Sequence, residues 1–282
     1  MVSEKVTSLD VARKAGVSQS AVSRVLTPGG SASKKTAEKV RSAVDELGYR
    51  PNILARSLIT GKSNIIGLVV AYLNNRFYPE VLEKLSNRLQ KEGYQVLIFI
   101  ANNTKDDISN VIEGILEYQV DGIVAASVAM SSDLAARCQA AGVPIVLFNR
   151  SQADDELPSV TSNNYLGGQT AAKHLLELHH KKIGYIAGWE GASTQVERED
   201  GFNSMISEQN LIVTHREVGN FEIDEAKEAA KKMFGTFDHP TAVFVASDHM
   251  AFAVMDVLRS DIGLQIPQDV SIIGFDDVSL AS

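Results

Sequence analysis

The chain has 282 residues, 44% of them hydrophobic, a single cysteine and a formal net charge of −8. That length predicts two or three domains with ample core; no apolar run approaches a membrane span, and Cys138 alone makes neither an internal disulfide nor a zinc site. Residues 1–60 hold ten Lys/Arg against five acids, a net of +5, so the rest carries −13. A basic head on an acidic body is the footprint of a chain that grips phosphates at one end.

Residues 7–26, TSLDVARKAGVSQSAVSRVL, spell two short amphipathic helices around a tight turn. Thr7 with Asp10 forms a capping box for the first, whose inward residues are Leu9, Val11, Ala12 and Ala15. Gly16 supplies the left-handed residue that ends it. Ser18 caps the second, which turns Ala21, Val22, Val25 and Leu26 inward. Gln19, Ser20, Ser23 and Arg24 are left facing out. This is the layout of a helix-turn-helix head for the major groove. A third helix is expected over Ser33–Leu47, stopped by Gly48. Ile53–Ile59, bounded by Pro51 and Gly61, is too short for a stable isolated helix. It reads as a linker that folds only when held.

From Asn64 apolar strands alternate with amphipathic helices. Strands are expected at Ile65–Ala71, Gln95–Ile100, Gly122–Ala126, Ile145–Phe148, Lys182–Ala187, Ala242–Ala246 and Val270–Phe275. Helices are expected at Pro79–Glu92, Lys105–Tyr118, Ser132–Ala141, Tyr165–Leu178, Thr194–Glu208, Asp224–Phe234 and Ser247–Ser260. That alternation predicts parallel doubly wound sheets. Polar Ser151–Pro158 reads as the crossing between two lobes. The fold class is therefore an all-α head on a two-lobed α/β body: residues 1–50, a hinge over 51–62, and a body over 63–282, with lobes at about 63–158 and 159–282.

Ligands of open α/β sheets bind outside the carboxyl ends of the strands. There the chain places Asn74, Asn75 and Phe77, then Asn149-Arg150, Trp189, Ser247-Asp248 and Asp276-Asp277. Carboxylates, amides and aromatic rings converging on one cleft suit a polyhydroxylated ligand.

The head, the linker YRPNILARSLITGK and the motifs HHKKIGYIAG, VEREDGF, PTAVFVASDHMAFAVM and IPQDVSIIGFDD resemble the lactose/galactose repressor family of bacterial transcription regulators. The resemblance runs from about Val6 to Asp277. It implies a repressor that binds a near-palindromic operator as a homodimer, or a tetramer, under control of a carbohydrate effector. It implies that Gln19 and Ser20 read base edges, with Arg24 in the same groove; Thr7, Ser18 and Ser23 complete that set. Leu58 takes the place of a minor-groove wedge, with Asn52, Ala55 and Arg56 on the same short helix. In the body, Arg198 matches a ligand-clamping arginine and Asp248 a ligand carboxylate. Asn149 stands where many members carry Asp, and Phe77 and Phe221 fall near ring-wall positions. Asp276 joins the effector set, with a plain turn former as its competing reading. Family members continue past GFDD with a segment that returns to the first lobe, and dimerisation and effector closure are expected to draw on it.

No cofactor or metal site is expected. Thr60-Gly61-Lys62-Ser63 has the tail of a phosphate-binding loop, but Arg56 stands where its upstream glycine belongs. His179 and His180 are neighbours and cannot share a helical face; His180 is expected to meet the carbonyl end of its helix. No nucleophile–base constellation stands out, so an enzyme is not expected. An exported solute receptor lacks a basic head. Met1–Val6 is short and polar, without the pattern of a signal peptide, and the expected compartment is the cytoplasm.

Overall fold

The computed structural model describes residues 6–27, 29–51, 61–102, 104–128, 130–152 and 157–281. The chain divides into two compact units, Met1–Ser63 and Asn64–Ser282.

In the first unit, α1 (Ser8–Ala15), α2 (Gln19–Leu26) and α3 (Lys34–Leu47) pack around Val11, Ala12, Ala15, Val22, Val40 and Ala43. The expected caps are present. Thr7 and Asp10 close a capping box, Ser18 accepts from the Ala21 amide, and Gly16 and Gly48 are left-handed; Ser33, expected as the first residue of the third helix, is instead its cap and accepts from the Thr36 amide. Leu9 departs from expectation: it is 44% exposed. At 100° per residue it falls about a third of a turn from the middle of the 11-12-15 stripe. Ala43 is the core residue that pattern reading overlooked.

The second unit carries two parallel sheets. The first runs in the order β2-β1-β3-β4-β5, from β1 (Ile65–Val70), β2 (Gln95–Ile100), β3 (Gly122–Ala126), β4 (Ile145–Phe148) and β5 (Ser159–Val160). The second runs β7-β6-β8-β9, from β6 (Ile183–Ala187), β7 (His215–Val218), β8 (Ala242–Val245) and β9 (Ser271–Ile273). Helices α4 (Phe77–Lys91), α5 (Lys105–Glu117) and α6 (Ser132–Ala140) follow β1, β2 and β3. In the second lobe, α7 (Asn164–Glu177) precedes β6, and α8 (Ser193–Glu208), α9 (Ile223–Phe234) and α10 (Asp248–Val257) follow β6, β7 and β8. The central strands β1, β3, β6 and β8 are buried on both faces, as their unbroken apolar runs require. Cys138 is buried on α6.

Four local expectations are corrected. Ser151–Pro158 is not the whole crossing, because Ser159 and Val160 still pair with Leu147 and Phe148 of the first sheet. His215–Val218 is a strand that pattern reading missed; a polar edge strand lacks the apolar run that marks a buried one. Strand β2 is also an edge, so Ile98 and Ile100 are exposed rather than covered. His180 does not point to its helix end. Its Nδ1 and Nε2 each lie 3.0 Å from a hydroxyl, Thr241 and Ser271, at the starts of β8 and β9.

Helices α7 and α8 cross in close contact, and glycine makes this possible. A Cβ on Gly168 would sit 2.1 Å from the Arg198 carbonyl oxygen, and one on Gly201 would sit 2.0 Å from that of Tyr165. The crossing therefore sets where Arg198 emerges. Gly168→Val is expected to destabilise the second unit by about 3 kcal/mol or more, from overpacking against backbone that cannot yield. A urea midpoint unchanged from the parent chain would contradict this.

Candidate functional site

On the head, α2 presents Gln19, Ser20, Ser23 and Arg24 to solvent. Their geometry is organised locally. Gln19 Nε2 donates to Ser8 Oγ at 2.8 Å, and Arg24 Nε donates to the Ser20 carbonyl at 3.3 Å. Thr7 and Ser18, also named from the sequence, have hydroxyls engaged in capping: Thr7 Oγ1 lies 2.6 Å from Asp10 Oδ2, and Ser18 Oγ accepts from Ala21 N at 3.2 Å. Asn52, Ala55, Arg56 and Leu58 lie outside the described residues.

In the body, the carboxyl ends of both sheets face one cleft. Its inner part is a narrow cavity lined by Tyr72, Asn75, Phe77, Tyr78, Ser127, Asn149, Thr194, Arg198, Phe221, Ser247 and Asp276. A wider, more open mouth shares Phe77, Asn149, Arg198 and Asp276 and adds Asp248 and Phe275. Each wall residue follows a strand or lies in the first two turns of the helix after it, Arg198 being in the second turn of α8.

Five wall residues hold left-handed backbones without being glycine: Tyr72 (φ 59°), Ser127 (φ 58°), Asn149 (φ 56°), Phe221 (φ 62°) and Asp276 (φ 113°). Such residues cost about 1–3 kcal/mol each and persist where surrounding structure holds them. They turn each strand end sharply, so the side chain enters the cleft instead of continuing along the strand.

Arg198 is the centre of the polar wall. It is 3% exposed. Its Nε donates to Asn164 Oδ1 at 2.9 Å and its Nη1 to the Ala246 carbonyl, while the guanidinium lies 3.7 Å from the Phe275 ring centroid. Nη2 is left 3.7 Å from Asp276 Oδ1. Burial depresses the Arg198 pKa, opposed chiefly by Asp276. Burial raises the Asp276 carboxyl to about 7, against the Arg198 charge and helped by Asp248. Asn149 Nδ2 donates to the Tyr78 hydroxyl at 2.9 Å, which leaves the amide oxygen as an acceptor.

The aromatic walls come from both lobes. Phe77 stacks on Phe148 at 6.3 Å and 15°. Phe221 meets Tyr72 edge-on at 6.4 Å across the lobes, and it seats against Gly188, where any Cβ would lie 2.1 Å from its ring.

Asp248 lines the mouth beside Arg198 and Asp276. Its Oδ2 accepts from Val278 N at 3.0 Å, its charge is also met by the Asp277 amide, and its Oδ1 abuts Gly274. It borders the mouth but its carboxylate ties down the loop that carries Asp276. Tyr72, Tyr78, Ser127 and Thr194 are wall residues that sequence reading missed. Their one sequence signal is position: each sits within one turn after an apolar strand or at a helix start.

Among the described residues no cluster of three His, Cys, Asp or Glu groups is placed to hold a metal, and no helix is long and apolar enough to cross a membrane.

Two family models match in tandem. Residues 7–52 match bacterial regulatory proteins of the lacI family, and residues 63–282 match the periplasmic binding proteins and sugar binding domain of the LacI family. The transcriptional repressor PurR of Vibrio vulnificus (strain CMCP6) is 35% identical over 280 residues, covering 96% of this chain and 82% of that protein. Catabolite control protein A of Priestia megaterium is 30% identical over 280 residues, covering 98% and 84%. The lac repressor dimer bound to operator and the anti-inducer ONPF superposes with a TM-score of 0.87 at 26% identity, over 98% of this chain and 84% of that one. A basic three-helix head, an acidic two-lobed body and matches spanning both place this chain in the LacI family of DNA-binding transcription regulators with an effector-binding body.

Proposed function

We propose that this chain is a repressor that reads a near-palindromic operator as a homodimer, or a tetramer, and that a carbohydrate-like effector in the cleft sets its affinity for DNA. The observation that carries the effector reading is the buried Arg198–Asp276 pair, 3.7 Å apart, in a cavity with Phe77 and Phe221 on its walls. A cation, a carboxylate and the Asn149 amide supply oriented donors and acceptors for hydroxyls, and rings cover C–H faces. Asp248 acts on this reading as a positioning residue for Asp276.

Residues 1–50 form the DNA-binding domain, 51–62 the hinge, and 63–282 the effector-binding and dimerisation body. Gln19, Ser20, Ser23 and Arg24 contact the major groove, with Thr7 and Ser18 at phosphates. Asn52, Ala55, Arg56 and Leu58 lie along the minor groove. A ligand that prefers one lobe arrangement changes the free energy of folding the hinge on DNA. A coupling of about 1–3 kcal/mol changes operator affinity roughly 5- to 150-fold. The effector is bound and released unchanged, without cofactor or turnover, in the cytoplasm.

The test is fluorescence anisotropy with promoter fragments of the neighbouring genes. Operator affinity is expected to fall about a thousandfold or more between 50 and 200 mM salt if six or more phosphates are contacted. A flat salt dependence removes the head as a phosphate binder. Leu58→Gly is expected to weaken operator binding and leave effector binding intact; equal operator affinity removes the wedge.

A further inference from the structure

A second buried arginine, Arg150, stands beside the wall residues Tyr72 and Tyr78 without itself lining the cavity. Arg150 lies two residues after β4, is 4% exposed, and has no hydrogen-bond partner at Nε or Nη1. Its guanidinium lies over the Trp189 ring, 4.9 Å from the centroid, so a cation of one lobe rests on an aromatic of the other. The groups acting on its charge are the hydroxyls of Tyr78 and Tyr72, both on the cavity wall, and no carboxylate is among them.

The contrast with Arg198 is informative. Arg198 has acceptors at Nε and Nη1 and the Asp276 carboxylate beside Nη2. Asp248, the other buried acid, is met by backbone amides and acts on Asp276. Among the described residues there are therefore two buried guanidinium groups, Arg198 lining the cleft and Arg150 beside Tyr72 and Tyr78 of its wall, and the one carboxylate, Asp276, is beside Arg198. Arginine does not shed its proton in proteins, so burial leaves Arg150 cationic with its donors unmade. A buried cation in that state is costly until an acceptor arrives, and a guanidinium fork matches the geometry of an oxyanion.

We propose that Arg150 is an anion subsite, and that the effector is a hydroxylated small molecule carrying a phosphate ester or carboxylate. Its hydroxyls meet Arg198, Asp276 and Asn149, and its charged group takes Nε and Nη1 of Arg150. This rests on the effector site proposed above. The rival role for Arg150 is an interlobe latch on Trp189, which would favour closure over any ligand alike.

Isothermal titration of the full chain with matched probes separates these. The probes are glucose, glucose 6-phosphate and glucuronate, with ribose and ribose 5-phosphate as a second series. At least one anionic member is expected to bind about 10- to 100-fold tighter than its neutral parent; which one wins distinguishes phosphate from carboxylate. In Arg150→Met that advantage is expected to fall within twofold while neutral-sugar affinity is kept. Arg150→Lys is expected to restore part of it. The Met variant is expected to melt no lower than the parent, since it removes an unpaired buried cation. If neutral and anionic members bind the parent chain equally, the proposal is overturned without recourse to any variant. A Met variant that weakens both alike assigns the latch role instead. If no probe binds a chain that still binds operator, the effector-site reading itself fails.

Discussion

Arg198→Met is expected to abolish effector binding while leaving operator binding unchanged. The guanidinium is held at two nitrogens by Asn164 and Ala246 and flanked by Phe275, so its remaining face is fixed toward Asp276 and the cavity. Truncating one partner of a buried, hydrogen-bonded charge pair in a binding site costs about 2–5 kcal/mol, roughly 30-fold to several-thousandfold in Kd. Methionine keeps most of the volume, so the loss is of charge and direction rather than packing. Asp276, already raised in pKa by burial, is expected to stay protonated once its cation is gone, and the fold survives. Titration calorimetry gives the effector Kd, and anisotropy on operator gives the DNA Kd. An effector Kd within threefold of the parent takes Arg198 out of the site. A simultaneous loss of operator binding with a collapsed near-ultraviolet spectrum points to misfolding, and Arg198→Lys then decides, since it keeps charge but not the fork.

Effector affinity is expected to weaken by roughly tenfold per pH unit below 7, through Asp276 alone. Burial lifts its carboxyl from 3.8 to about 7 in the empty cleft. The folded pKa therefore exceeds the unfolded one. Folding takes up a proton between these values, and the stability tied to that proton is present below about pH 4 and lost as pH rises through 7. A ligand hydroxyl donating to the ionised carboxylate lowers the pKa again. Binding then releases about half a proton per site at pH 7. Calorimetry in buffers of different ionisation enthalpy counts that proton. Asp276→Asn is expected to remove both the release and the slope. A parent chain with pH-independent affinity between 5 and 8 places the ligand's hydroxyls elsewhere. The Arg150 subsite adds a separate signature, because a phosphate ester titrates near pH 6 itself; the neutral sugar isolates Asp276.

Much of the molecule was legible in order along the chain because its determinants are short in range. Thr7 and Ser18 as caps, Gly16 and Gly48 as stops, and the apolar runs of β1, β3, β6 and β8 act within a few residues of where they stand. The same rules misread elements whose neighbours decide them. Leu9 is apolar but lies off the stripe, β7 is polar because it is an edge, and His180 finds hydroxyls on strands that arrive 61 and 91 residues later.

The candidate site divides along the same line. Phe77, Asn149 and Asp276 could be nominated because a parallel sheet delivers the residues after its strands to one edge, and strand positions can be read from composition, whereas Arg198, within a helix, and Phe221, after the strand that pattern reading missed, were nominated by the family resemblance alone. What each nominated group does there was set by partners distant in sequence. Asp248 turned out to face backbone amides some 30 residues on, Asp276 to share its burial with Arg198, and Arg150 to rest on Trp189 with its donors unmet. Composition and periodicity thus determined that there is a basic reading head, a two-lobed body and a cleft between strand ends. Only the tertiary structure decided which charges in that cleft are answered and which are left for a ligand, because desolvation and pairing are properties of the packed neighbourhood and not of the residue.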